Sequence, residues 1–186
     1  MSFIEIIGVI ASLAGIALAA RGHVLTWPLQ LLASLLYVEL FFASQLYGEA
    51  TLQGVYAVLA VYGWWHWWRG TAAHVPLPVS RMGRREIWLL NALALIATTL
   101  IAQLQIRFLP TDVPVLDSAI FCFGLLAQWL QAQKRLENWA YWIVLDLLAA
   151  GVYVHKALYL TSALYVLLAV LAAWGWRSWL RGQRAA

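Results

Sequence analysis

Seven apolar stretches, near 3–20, 25–43, 50–68, 86–106, 115–132, 137–154 and 158–179, take up most of this 186-residue chain. Crossing the hydrocarbon layer of a membrane takes a helix of roughly 17–25 mostly apolar residues, and each stretch is about that long. Charged residues are only 11% of the chain, and mean hydropathy is +0.77. What lies between the stretches is too short for a soluble domain. The sequence therefore predicts an all-α, polytopic membrane protein with seven transmembrane helices. The start, MSFIEIIGVI, lacks a basic leader and a small-residue cleavage site, so it reads as a first span and not as a removed signal. Cys122 is the sole cysteine, which excludes an intrachain disulfide, and its apolar neighbours point to packing.

Charge sets the expected orientation. One set of alternating loops and span ends holds Arg21, Arg69, Arg81, Arg84, Arg85, Lys134, Arg135, Arg177, Arg181 and Arg184, while the other holds only Arg107 and Lys156. Cytoplasmic loops collect Lys and Arg. The expectation is an N-terminus outside and a C-terminus in the cytoplasm. The basic balance reflects this asymmetry, and no basic-aromatic surface or zinc-finger spacing accompanies it, so nucleic acid is not an expected partner.

The chain also repeats itself. Shifted by 112 residues, LYGEATLQGVYAVLAVYGWWHWWRG (46–70) falls on LYLTSALYVLLAVLAAWGWRSWLRG (158–182), and over 27–70 there are 15 identities in 44 ungapped pairs. Apolar helices match one another cheaply in Leu, Ala and Val. Here Trp27 falls on Trp139, Tyr47 on Tyr159, Gly63 on Gly175, Trp64 on Trp176, Trp67 on Trp179 and Arg69 on Arg181, and such residues do not match by chance at one offset. Three spans reverse the direction of the chain, and the extra span at 86–106 reverses it again. Two three-span repeats, 1–70 and 111–186, would thus be parallel, joined by a connector and linking span over 71–110. This 3+1+3 plan is that of SWEET-like transporters, in which substrate sits near the midplane between halves.

Within the second repeat, ENWAYWIVLD (137–146) puts Trp139, Trp142 and Asp146 on one helical face, about 10 Å long at 1.5 Å per residue. A carboxylate at the bilayer centre costs at least ~2.5 kcal/mol. No Lys or Arg lies in the middle of any other span, so a cationic ligand is one candidate for its partner. A cation over an indole face gains roughly 0.5–2 kcal/mol, so a flat aromatic cation suits the face. The alternatives are a membrane-interface role for Trp139, a packing role for Trp142, and a protonated or proton-carrying Asp146. Asn138 adjoins this face. Its counterpart in the first repeat is Trp27, Gln30 and Ser34, which is uncharged. Gln53 is a further buried polar candidate, paired by the repeat with Tyr165, and Tyr56 lies one turn deeper; a buried amide needs a partner, in a helix or a ligand. Glu39, Glu5 and Asp117 also lie in or near spans, the last two near outer span ends, where a structural role is expected.

GWWHWWRG (63–70) ends a span against a basic loop and is expected to anchor it at the interface. His23, His66, His74 and His155 are scattered without metal-like spacing, so no metal is expected. No nucleophile–base pair lies on neighbouring span positions and no Walker-type loop is present. Catalysis and ATP-driven pumping are therefore not expected, nor is a cofactor.

WPLQLLASLLYVELFFASQLYGEATLQGVYAVLAVYGWWHWW resembles the first half of PnuC-type nicotinamide riboside transporters, and LENWAYWIVLDLL resembles their W-x-x-W-x-x-x-N/D signature, here Trp139, Trp142 and Asp146. LYLTSALYVLLAVLAAWGWRSW resembles their last span, and the similarity covers nearly the whole chain. The resemblance implies a homotrimer in the bacterial inner membrane that imports nicotinamide riboside by facilitated diffusion for NAD synthesis, with a separate cytoplasmic kinase trapping the vitamin. Nicotinamide riboside carries a pyridinium cation, in keeping with the aromatic-carboxylate face. Asp in place of Asn at 146 keeps thiamine, also a cation, as an alternative, beside another vitamin and a proton-coupled carrier using Asp146.

Overall fold

The computed structural model describes residues 3–43, 47–70, 77–108, 113–155, 157 and 159–185, with side chains for all of these except 3–5, 47–49, 160 and 184–185. His74, Lys156 and the side chains of Glu5, Tyr47 and Arg184 lie outside that description. Seven helices follow in order: α1 (Phe3–Ala20), α2 (Thr26–Ala43), α3 (Tyr47–Arg69), α4 (Arg84–Phe108), α5 (Pro114–Ala132), α6 (Asn138–His155) and α7 (Tyr159–Ala185). They coincide with the seven predicted spans to within three residues at each end, except that α7 runs six residues further. By length and composition, four described stretches could cross a membrane: Thr26–Ala43, Arg84–Phe108, Pro114–Ala132 and Thr161–Gln183. α6 carries Asp146 near its middle, a kind of residue that a span carries only for a reason.

Two turns set the paths of the flanking helices. α1 ends with Gly22 in the left-handed region, φ 68°. There the His23 N–H donates to the Leu18 carbonyl at 3.0 Å and the Gly22 N–H to the Ala19 carbonyl at 2.8 Å, the paired bonds of a Schellman cap. α5 ends the same way at Lys134, φ 54°, with Arg135 N–H on Leu130 O and Lys134 N–H on Gln131 O, both at 2.9 Å. The next helices then open alike. Thr26 and Trp27 donate to the His23 and Val24 carbonyls, and Asn138 and Trp139 to those of Arg135 and Leu136.

Each helix of the trio α1–α3 packs on the next, as does each of α5–α7; α4 packs on α5 and reaches α6 through Asn91, which donates to the Tyr141 hydroxyl at 2.7 Å, and the trios meet through α3 against α5 and α1 against α7. Two indoles cross that boundary, Trp67 Nε1 to the Ala132 carbonyl at 3.1 Å and Trp179 Nε1 to the Ala19 carbonyl at 2.9 Å. Ala19, Ala20 and Ala132 are wholly buried around them; only side chains as small as alanine let the large rings reach helix carbonyls.

The turn after α5 also holds the segment leading into α4. Leu136 N–H donates to the Ser80 carbonyl and Ser80 N–H to the Lys134 carbonyl. Arg135 reaches the Arg81 carbonyl at 2.9 Å and Glu86 at 3.1 Å, and the Glu137 carboxylate accepts the Met82 N–H. Gln183 of α7 donates to the Val79 carbonyl. α4 turns Leu93, Ile96, Leu100 and Leu104 outward, each more than half exposed, as suits a helix solvated by lipid.

Candidate functional site

α6 carries the predicted aromatic-carboxylate face, but its two tryptophans have different surroundings. Trp139 is 1% exposed. Its ring lies edge-on to Trp179, with centroids 5.3 Å apart and planes at 83°, and so close to Gly175 that a Cβ there would sit 2.6 Å from a ring carbon. Trp27 is enclosed in the same way by Gly63 and by Trp67, at 5.2 Å and 89°. The faces of Trp27 and Trp139 are therefore covered by protein, and the rings serve as core, not as open stacking surfaces. The interface role considered for Trp139 does not fit this burial either. Trp142 is half-buried beside that core and is the tryptophan of the signature with open surface. Asn138 is fully buried and uses its side-chain amide on the Arg135 carbonyl at 2.5 Å, which closes the turn before α6.

Between the two trios runs a seam that side chains bridge: Trp67 of α3 lies 6.0 Å from Trp179 of α7, and Gln128 of α5 bonds Gln30 of α2. Among the described residues the backbones of α2 and α3 do not approach those of α6 or α7, nor does that of α2 approach α5. Polar side chains line this seam. Asp146 is buried, 7% exposed, and among the described residues the ion pair is Arg135–Glu86, at the far end of α6. Tyr165 of α7 interacts electrostatically with Asp146, with Tyr56 of α3 and with Tyr153. The rings of Tyr153 and Tyr165 stack at 5.2 Å. The Tyr56 hydroxyl lies over Gly124 of α5, 2.6 Å from where a Cβ would stand. Asp146, Tyr56 and Tyr165, from three helices, thus lie near enough for charge on one to be felt by another.

About one turn nearer the basic turns, the Thr26 hydroxyl donates to the Gly15 carbonyl at 2.8 Å, Gln30 Nε2 donates to Thr26 Oγ1 at 2.9 Å, and Gln128 Nε2 donates to Gln30 Oε1 at 2.7 Å. Gln53 is half-buried on α3 and Ser34 buried on α2. Below them Gln133 donates to the Tyr62 hydroxyl at 2.7 Å, and Tyr62 stacks on Trp129 and His66. Trp64 and Trp176 are exposed and half-buried respectively.

Gly124, Gln128 and Tyr153 belong to the seam and carry no motif in the sequence. Gln128 falls on Ile16 in the repeat, so its partner gives no hint of it, whereas its place four residues after Gly124, on one face of an apolar span, was the available signal. Lys134 is buried beyond this seam. Its ammonium lies 4.6 Å over the Trp67 ring, and burial holds its pKa below the usual lysine value. Among the described residues no three His, Cys, Asp or Glu side chains gather as a metal set. A cleft of about 290 Å³ between α4 and α5, lined by Leu90, Leu93, Ala97 and Phe121, is apolar and includes none of the seam residues.

A family model described as nicotinamide mononucleotide transporter matches residues 2–181. The riboflavin/roseoflavin transporter RibM of Streptomyces davaonensis is 32% identical over 185 residues, spanning 97% of this chain and 86% of that protein. The nicotinamide riboside transporter PnuC of Escherichia coli is 25% identical over 209 residues, spanning 99% and 87%. The crystal structure of the vitamin B3 transporter PnuC superposes at a TM-score of 0.77 over all of this chain and 84% of the other. At 20% identity this shows a shared fold.

Proposed function

The chain belongs to the nicotinamide mononucleotide transporter family, membrane transporters of vitamins and not enzymes, and from that premise we propose that it imports nicotinamide riboside by facilitated diffusion. The observation that carries the choice is Asp146, a buried carboxylate at the seam with no ion pair among the described residues. Such a group is costly in a membrane and calls for a positive charge. The nicotinamide riboside pyridinium supplies one; neutral riboflavin does not. Trp142 offers the pyridinium an indole, and Tyr56, Tyr165 and Gln30 offer polar contacts to the sugar.

In this reading α1–α3 and α5–α7 are parallel repeats, 1–70 and 111–186, joined by 71–110, and substrate passes as one rocks on the other. The matched caps at Gly22 and Lys134 and the matched Trp–Gly contacts support the repeat. The basic turns would face the cytoplasm, with the N-terminus outside. The homotrimer and the trapping kinase rest on the resemblance to PnuC-type transporters.

A second reading, riboflavin transport, is favoured by the 32% identity to RibM. Calorimetric competition on the purified protein separates the two. Saturable binding of nicotinamide riboside that excess riboflavin leaves intact supports the first. Binding of riboflavin alone replaces it with the second.

A further inference from the structure

We propose that Gln128 determines specificity at the seam: it turns a carbonyl oxygen toward the substrate and selects ligands that carry an N–H or O–H donor. The inference rests on the reading that substrate lies between the two trios, and it names a residue and a chemical preference that family membership does not supply.

The run of hydrogen bonds begins at the Gly15 backbone carbonyl. The Gly15 carbonyl can only accept, so the single proton of the Thr26 hydroxyl is committed to it, at 2.8 Å. Toward Gln30 that hydroxyl can only accept, so Gln30 must present its NH2 group there, at 2.9 Å. Its carbonyl oxygen then faces Gln128, which in turn must present its own NH2, at 2.7 Å. Flipping either amide sets two acceptors or two donors against each other. The chain is therefore polarised from one end to the other, and the group left at its free end is the Gln128 carbonyl oxygen.

Place and burial give that oxygen a role. Gln128 is 6% exposed as a residue, yet its carbonyl oxygen is not among the described polar atoms sealed off without a partner, so a ligand N–H or O–H can reach it. Among the described residues the backbones of α2 and α5 do not meet, and the two long amides bridge them. Gln128 also lies one turn, about 6 Å, along the same face of α5 from Gly124, which receives the Tyr56 hydroxyl. A ligand between the trios that reaches Asp146 and Tyr56 reaches Gln128 as well. Suitable donors are the carboxamide N–H or sugar hydroxyls of a nicotinamide nucleoside, and the imide N–H or chain hydroxyls of a flavin. A built acceptor rejects an analogue lacking the donor far more strongly than an apolar wall would.

The test is a ratio of affinities in full-length protein. Nicotinamide riboside is compared with its N,N-dimethylcarboxamide and 2′,3′-di-O-methyl analogues, and riboflavin with its 3-methyl and O-methylated analogues. The proteins are wild type, Thr26→Val, Thr26→Ser and Gln128→Leu. The expected result is that wild type disfavours at least one donor-blocked analogue by roughly tenfold or more. That ratio falls to near one in Gln128→Leu and shrinks in Thr26→Val, where the Gln30 and Gln128 amides are free to flip, and Thr26→Ser restores it. General damage to the fold weakens all ligands alike and leaves the ratio unchanged. An undiminished ratio in Thr26→Val or Gln128→Leu overturns the inference while leaving the transport reading in place, as does equal binding of all analogues by wild type. Failure of wild type to bind either vitamin overturns the transport reading, and this inference with it.

Discussion

Gly22 and Lys134 stand 112 residues apart and share one backbone conformation, φ 68° and 54°, each closing a helix through the same pair of cap hydrogen bonds. Glycine adopts that conformation without strain, whereas a residue with a Cβ carries a cost of roughly 1–2 kcal/mol. The Lys134 ammonium over Trp67 offsets part of it, since a cation–π contact is worth roughly 0.5–2 kcal/mol. Gly22→Ala is therefore expected to destabilise the protein by about 1 kcal/mol. Lys134→Gly, which relieves strain and loses the ring contact, should change stability by less. Thermal unfolding in detergent compares them.

The buried ammonium also makes stability depend on pH. With its folded pKa below the unfolded value, Lys134 binds more proton in the unfolded chain between the two pKa values. Its contribution is fully present above the unfolded pKa of about 10.4 and is lost as pH falls through the folded pKa. The wild type is expected to gain stability relative to Lys134→Met as pH rises toward the unfolded pKa of about 10.4. A constant difference between the two melting profiles over that window would count against burial of the charge.

Trp139 against Gly175 and Trp27 against Gly63 leave no room for one more carbon. Gly175→Ala and Gly63→Ala are each expected to cost about 1–3 kcal/mol by overpacking, visible as lower melting temperatures. Binding per folded molecule should survive if the rings are core. A variant that keeps its melting temperature but loses ligand would instead place these rings at the substrate.

Gly124 should show the opposite division. A Cβ there meets only the far end of Tyr56, its hydroxyl, and the ring can shift. Gly124→Ala is expected to melt within about 1 kcal/mol of wild type and to weaken substrate binding by roughly tenfold, the effect of one lost polar contact. Calorimetry on the wild type and the variant reads both quantities.

Most of the helical frame was legible in the sequence, because bilayer thickness dictates span length and the apolar stretches end where the turns begin. The roles of the aromatic residues were harder to read. Trp139 shares a face with Asp146, which suggested one ligand site, yet its ring reaches back to α7 and is buried there. The signal for packing was present in the repeat, since Trp27–Gly63 and Trp139–Gly175 recur as pairs at the same offset. Lys134 could not be recognised as a helix cap, because a lysine gives no sign of a left-handed backbone. Gln128 and Tyr153 were invisible for another reason: their partners, Gln30 and Tyr165, come from helices that only tertiary packing brings near.

Uptake of labelled nicotinamide riboside into proteoliposomes holding the purified protein, without kinase, ATP or an ion gradient, tests the central claim most directly. The predicted result is equilibration of the vitamin across the membrane, not increased by an imposed proton gradient and strongly reduced in Asp146→Asn. Entry of riboflavin and not of nicotinamide riboside, or entry that requires a proton gradient, would contradict it.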